Sequence, residues 1–453
     1  PCTVNIAGLL SATTYYGFCS GWHTWPSFCK VEPQCLYRDP KCGVEVSTAE
    51  QSGPRTHVPF SAISCANAFL VVIYILWSFL FQHVRIFHET GVAVLVGILV
   101  GYCVKVWYGE TAQFSYDTFS LFLLPAVIYS AGFNLRKKGF FRYSTYIASL
   151  GVLGTILIFF FIYYASAVFE FRNAAGQLIS VKPQARLIMA SVLASTDSVA
   201  PMAFLPAEAF PRLFAVVFGE GVMNDVVSIL LSTAVSESTT VPTFPSLAFS
   251  VLFYFSTSFA LGALFGLGAS LLFRFARPLQ LGTVKPCALL FLINYVCYVS
   301  AEILEISSIF ALFISALVSQ HYASHWLMPK AREFAEEFAE LISYCAEAFV
   351  FGYFGLTAVA HIVKGTYSVG LICCYLACVF IARLFAIAAL VLLLKLLRCC
   401  HSLSLTAAEL AVIGLAGCMR GTIAYALILR SMPKKPTPLQ ETLISTILFI
   451  VLL

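Results

Sequence analysis

The sequence predicts an all-α polytopic membrane protein of about thirteen transmembrane helices, on three observations. Of its 453 residues, 60% are hydrophobic and only 11% are charged, against roughly 25% charged in an ordinary soluble domain. Apolar stretches of about 18 residues or more, each long enough to span a hydrocarbon core as a helix, recur from Ile63 to the last residue. Basic residues gather in alternate loops, as the positive-inside bias of a polytopic chain requires. The lipid bilayer is therefore its main solvent. The net charge of +5, spread thinly over short loops, excludes nucleic acid as a partner.

The first element is not a helix. Residues 1–60 form a polar segment containing Pro and Gly, with Cys2, Cys19, Cys29, Cys35 and Cys42. That pattern reads as an extracytoplasmic, disulfide-stapled segment. Five is odd, so Cys65 at the mouth of the first helix, or another chain, supplies a sixth partner, and the connectivity stays open. No C-x-x-C pair in the segment favours a metal. The chain opens at Pro1 and stops inside the apolar run Thr442 to Leu453. A cleaved leader, and a cytoplasmic tail that binds regulatory partners, are expected beyond these ends.

Residues 61–453 read as one transmembrane domain. Its predicted helices lie at 62–82, 90–108, 116–135, 144–170, 185–206, 211–236, 246–275, 284–300, 303–322, 332–363, 367–398, 404–431 and from 440 onward. The stretch Ala331 to Glu340 is amphipathic and rich in Glu, and is expected to lie partly in the membrane interface. Thirteen crossings put the termini on opposite sides. Arg136, Lys137, Lys138 and Arg142 fill one loop, Arg274, Arg277 and Lys285 a second, Lys330 and Arg332 a third, Lys395 and Arg398 a fourth. All four share a side when the N-terminus is extracytoplasmic. Nothing in the sequence distinguishes plasma membrane from endomembrane.

A charged side chain at mid-bilayer costs at least about 2.5–3.5 kcal/mol on insertion scales, so intramembrane ionisable residues are candidates for function. The deepest are Asp197, Glu220, Asp225, Glu347, Arg383 and Arg420. Asp197 lies in Ala194-Ser195-Thr196-Asp197-Ser198-Val199-Ala200-Pro201. There the proline removes a backbone donor while Ser and Thr compete for backbone bonds, so the helix should break beside Asp197. The glycines of Gly414-Leu415-Ala416-Gly417-Cys418-Met419-Arg420-Gly421-Thr422 interrupt a second segment in the same way. Two broken helices in corresponding halves point to an inverted-repeat transporter with a midplane site.

In the segment Phe218 to Ile229, helical spacing puts Gly221, Asp225 and Ser228 on one face, and Glu220 with Asn224 about 100° away. Asp225 then faces an ion path and Glu220 a neighbouring helix, with Arg420 the expected partner. Glu347 and Arg383 are expected to pair with each other. Such buried pairs usually fix helix register and nothing more, whereas acids outnumber bases around Asp225 and Asp197. A water-accessible carboxylate without a cationic partner must be neutralised by a proton or by a metal cation, and that competition is itself an exchange mechanism. Hard monovalent cations want oxygen ligands, and the freed carbonyls around Thr196, with the Asp197 and Ser130 side chains, supply them. Na+ is therefore placed at Asp225, Asp197 and Thr196, with Li+ and K+ as alternatives, H+ as counter-ion and no cofactor.

At these residues the sequence resembles the sodium/proton exchanger family of the cation/proton antiporter superfamily. Ser195-Thr196-Asp197-Ser198-Val199-Ala200 is similar to the family's A-T-D-P-V-A, and Gly219-Glu220-Gly221-Val222-Met223-Asn224-Asp225 to G-E-S-L-L-N-D. Leu123 to Phe133 resembles L-L-P-P-I-I-[FL]-[DE]-A-G-Y, Ala346-Glu347-Ala348-Phe349-Val350-Phe351 resembles A-E-T-x-I-F, and Met419 to Leu427 resembles L-R-G-A-V-A-F-A-L. The resemblance implies a homodimer of thirteen-helix protomers, each with a core that moves elevator-like against dimerisation helices. It implies an essential aspartate at Asp225, and electroneutral exchange because Asn224 stands where electrogenic relatives carry an acid. It also implies an ion site that includes Thr196 and Asp197, a core-stabilising Glu220–Arg420 pair, and a structural or gating role for Glu347.

The chain departs from the pattern at Ser130, where the family has an acid, at Gly221, where it has a Ser ligand, and at Ser198, where it has Pro. The first two departures subtract charge or oxygen from the site. A transport-impaired relative serving as sensor or assembly subunit, and a sodium-coupled symporter or channel, therefore stand beside the antiporter as readings. No enzyme motif appears: H-E-x-x-H and a nucleophile elbow are both missing.

Overall fold

A computed structural model describes residues 69, 71–77, 89–108, 119–135, 142–168, 171–172, 178–179, 181–197, 201, 205, 209–238, 241–275, 282–365, 367–396, 406–432 and 436–452. The six candidate disulfide cysteines, Ser198, and the basic loop residues Arg136, Lys137, Lys138, Arg277 and Arg398 lie outside them.

Residues 71–77 are helical. Then follow α1 (Glu89–Tyr108) and α2 (Leu124–Phe133), which a π-helical turn, Phe119–Leu123, precedes. Helix α3 (Ser144–Val168) contains a second π turn at Ser149–Leu153. A two-residue ribbon, β1 (Phe171–Arg172) antiparallel to β2 (Leu178–Ile179), leads to α4 (Pro183–Ala194). Beyond it run α5 (Pro211–Ser236), α6 (Phe244–Phe275), α7 (Val284–Ile303), α8 (Ser308–Tyr322) and α9 (Pro329–Lys364). The last are α10 (Val369–Leu396), α11 (Ala407–Ala416), α12 (Thr422–Ser431) and α13 (Pro438–Leu452). Seven described helices are long and apolar enough to cross a membrane unaided, and α2, α11, α12 and α13 are shorter apolar helices.

Both expected breaks are present. Helix α4 stops at Ala194, Ser195 is extended and residues 195–197 have no regular structure, so the predicted 185–206 helix is cut short beside Asp197. The predicted 404–431 helix divides into α11 and α12, with residues 417–421 between them. The two unwound stretches meet, the Asp197 amide donating to the Met419 carbonyl at 2.9 Å. Each break thereby satisfies backbone groups that the other exposes, which an apolar interior demands.

Helix α9 packs along α1 and α2, and α6 along α8, while α3, α4, α5, α10, α12 and α13 pack with one another. The interior is apolar, with Phe133, Phe159, Phe354 and Tyr425 fully buried. Among the described residues one ion pair lies inside it, and it is not the expected one. Arg383 of α10 donates to Glu220 of α5 and also, at 3.0 Å, to the Ile413 carbonyl of α11. The expected Glu220–Arg420 and Glu347–Arg383 pairs do not form. Arg420 instead donates to the Gly417 and Met419 carbonyls at 2.8 and 3.4 Å. Both guanidinium groups thus sit at the carbonyl end of α11, where the helix dipole favours cations. Gly417 makes room, because a Cβ there would overlap the Arg383 guanidinium.

Candidate ion-binding site

A cavity of about 830 Å³ lies between α2, α8 and α9 on one side and α5, the α4 break and the start of α12 on the other. From α2 it is lined by Ser130, from the α4 break by Thr196 and Asp197, from α5 by Phe218, Val222, Asp225 and Ile229, from α9 by Ser343 and Glu347, and from the α12 start by Gly421 and Thr422. It reaches solvent at the start of α9, where Glu333, Glu337 and Glu340 line it and are exposed. From Glu333 to Glu347 the helix rises roughly 20 Å, at about 1.5 Å per residue. The Glu-rich start of α9, expected in the interface, is the acidic wall of this entrance.

Asp225 stands at the cavity's buried end. The Thr196 backbone amide hydrogen-bonds its carboxylate, while its Oδ1 has no hydrogen-bond partner. Arg420 acts on it electrostatically, but among the described residues no ion pair includes it. Asp197 lies against Gly421, where an added Cβ would come 3.2 Å from the carboxylate carbon. The break in α4 therefore brings the Asp197 carboxylate and the Thr196 hydroxyl to the same cavity as one buried acid, oxygen donors of the kind a hard cation takes. The Ser130 hydroxyl accepts from Asn134 Nδ2 at 3.4 Å. Glu347 accepts from Ser343 Oγ at 3.0 Å.

Two sequence-predicted residues, Gly221 and Asn224, do not line the cavity. The α5 residues that line it are Phe214, Phe218, Val222, Asp225, Val226 and Ile229, so Asp225 is near the edge of that face and Gly221 and Ser228 lie beyond it, buried in protein. Asn224 is fully buried. Its Nδ2 donates to Thr196 Oγ1 at 3.1 Å, and its Oδ1 accepts from Thr155 Oγ1 of α3 at 2.7 Å. At the opposite end from the acidic mouth, Arg430 of α12 reaches Glu302 of α7 at 3.4 Å and donates to Ser308 of α8 at 3.2 Å. This contact ties α12 to α7 and α8.

Residues 68–453 match the family described as "Sodium/hydrogen exchanger, transmembrane". The chain belongs to this family. It is similar to sodium/hydrogen exchanger 1 of Oryza sativa subsp. japonica, 29% identical over 402 residues that cover 85% of this chain and 74% of that protein. Sodium/hydrogen exchanger 3 of Arabidopsis thaliana is likewise 29% identical, over 385 residues covering 81% of this chain and 74% of that protein. The structure of the sodium proton antiporter MjNhaP1 from Methanocaldococcus jannaschii matches with a TM-score of 0.62 at 15% identity, covering 86% of this chain and 94% of that one. The exchanger is thus an integral membrane protein with an inverted-repeat antiporter fold.

Three parts of the exchanger's site escaped the sequence reading. The spacing of Glu333, Glu336, Glu337, Glu340 and Glu347 was a readable signal, because 3, 4, 7 and 14 residues return to one helix face. Thr155 and the Arg430–Glu302 contact carried none, since each depends on a helix distant in sequence.

Proposed function

We propose that the chain is a secondary antiporter that exchanges Na+ for H+, with Asp225 holding one or the other in turn. The observation that carries this reading is a buried carboxylate at the end of an acid-lined cavity, with one oxygen unpartnered and, among the described residues, no ion pair that includes it. An arginine held there would neutralise the acid permanently and leave nothing to exchange. Asp197 and the Thr196 hydroxyl and carbonyl complete the cation site, and Ser130 contributes a neutral oxygen where relatives of the family pattern have an acid. The acidic wall raises the local cation concentration at the entrance.

Exchange is electroneutral in this reading, because Asn224 carries no charge beside Asp225. Access alternates by displacement of the α3–α5 and α10–α13 group against the rest, with the Arg430 contact breaking as the acidic mouth closes. The working unit is a homodimer. Its N-terminus is extracytoplasmic, which puts the acidic mouth on the cytoplasmic side. On the extracytoplasmic side, residues 1–60 form disulfides among Cys2, Cys19, Cys29, Cys35 and Cys42, with Cys65 at the mouth of the first helix as the candidate sixth partner.

Proteoliposomes containing a pH-sensitive dye test this. An outward or inward Na+ gradient should drive proton movement that is insensitive to membrane potential, and Asp225→Asn should abolish it while the protein still purifies as the same folded species. Retained exchange in Asp225→Asn removes this site from the mechanism. No flux from folded wild-type protein would instead favour a transport-impaired relative, the reading that Ser130 supports.

A further inference from the structure

Asn224 is the chain neighbour of Asp225, yet its side chain points away from the cavity into a closed hydrogen-bond chain. Thr155 is fully buried, as is Asn224, and Thr196 is nearly so. The Thr155 hydroxyl lies 2.5 Å from the Gly151 carbonyl oxygen and 2.7 Å from Asn224 Oδ1. Both are acceptors, and a hydroxyl has one proton to give. Asn224 Nδ2 then lies 3.1 Å from Thr196 Oγ1, and Thr196 is the only member of this chain that lines the cavity. Close packing holds the group together. At Gly151, inside the π turn of α3, a Cβ would come 2.5 Å from Met223 Cβ of α5.

The proton count allows two arrangements of the same atoms. In the first, Thr155 donates to Asn224 Oδ1 and the amide NH2 donates to Thr196 Oγ1. The Thr196 oxygen then spends a lone pair on the amide, and its own proton is directed into the cavity. In the second, Thr155 donates to the Gly151 carbonyl. The Asn224 carboxamide, turned by half a rotation, donates to Thr155 Oγ1 and accepts from the Thr196 hydroxyl. Both Thr196 lone pairs then face the cavity as cation ligands. No proton is gained or lost: the amide turns and the two hydroxyl protons swing.

We propose that Thr155 is a positioning residue of the exchange site: through Asn224 it sets whether the Thr196 hydroxyl offers the cation its proton or its lone pairs. This rests on the exchange reading above. A cation in the cavity selects the second arrangement, which is stable because the Gly151 carbonyl takes the Thr155 proton. Without the Thr155 hydroxyl either arrangement leaves one end of the buried carboxamide unpaired, and the orphaned NH2 of the turned form is less well tolerated than the orphaned carbonyl oxygen of the other. Thr196 is then held in its proton-offering state.

The test compares wild type, Thr155→Val and Thr155→Ser in the proteoliposome assay, with Na+-dependent melting of the purified proteins alongside. Thr155→Val should raise the KM for Na+ roughly three- to tenfold, the scale of one buried hydrogen bond, with the maximal rate within about twofold. Its melting temperature should respond less to added Na+, and Thr155→Ser should restore both. An unchanged Na+ KM in Thr155→Val overturns the proposal. So does a fall in maximal rate and melting temperature at unchanged KM, which marks a purely structural residue. If Thr155→Val does not fold, Thr155→Ala against Thr155→Ser decides on the same readouts. Absence of exchange in wild type is a separate result and removes the exchange reading itself, and this inference with it.

Discussion

Replacing Arg383 with Met leaves Glu220 as a lone charge in the interior, and the size of the effect follows from the burial of the pair. The side chains are 1% and 3% exposed, so water cannot take over for the missing guanidinium. Breaking a buried pair by removing one partner costs about 3–5 kcal/mol. The Ile413 carbonyl of α11 also loses the donor that holds it at 3.0 Å. At about 2 °C per kcal/mol for a large domain, Arg383→Met should melt roughly 6–10 °C below wild type in detergent. Glu220→Gln combined with Arg383→Met removes both charges and should recover most of that loss. Arg420→Met should not reproduce the coupling to Glu220. A double-mutant cycle read by thermal unfolding measures all of this. An Arg383→Met protein that melts with wild type, or coupling energy found between Glu220 and Arg420 instead, would refute the assigned pairing.

Other consequences are as direct. Gly417→Ala should mimic Arg383→Met in thermal unfolding, because its Cβ would occupy the place of the guanidinium. Gly421→Val should slow exchange more than Gly421→Ala, since even one Cβ comes 3.2 Å from the Asp197 carboxylate carbon; equal rates would detach Asp197 from this packing. Arg430→Gln breaks a pair that is 25% and 39% exposed, so it should shift stability by no more than about 1 kcal/mol. Neutralising Glu333, Glu336, Glu337 and Glu340 together as Gln should raise the KM for Na+ severalfold at about 10 mM ionic strength. The difference should shrink near 1 M, where the screening length is roughly 3 Å; a salt-independent KM would rule out electrostatic attraction at the mouth.

What the linear sequence determined is what acts locally. Apolar length placed the helices, and 211–236 agrees with α5 residue for residue because Pro211 starts it and a polar run follows Ser236. Ser-Thr-Asp with Pro201, and the glycines from 414 to 421, marked both breaks because backbone donors are lost or left unprotected there. The acids of the site stood out because a charge in apolar surroundings needs a reason. Tertiary structure alone decided the partners and the faces. A transmembrane helix is apolar all round, so periodicity cannot say which side of α5 meets water and which meets protein. Sequence placed Arg420 beside Glu220 and Arg383 beside Glu347, and only the packing of α10 against the end of α11 gives Glu220 to Arg383 instead. The same holds for Thr155: its hydroxyl is one of many on apolar helices, and it acquires a role only where α3 brings it to the amide beside Asp225.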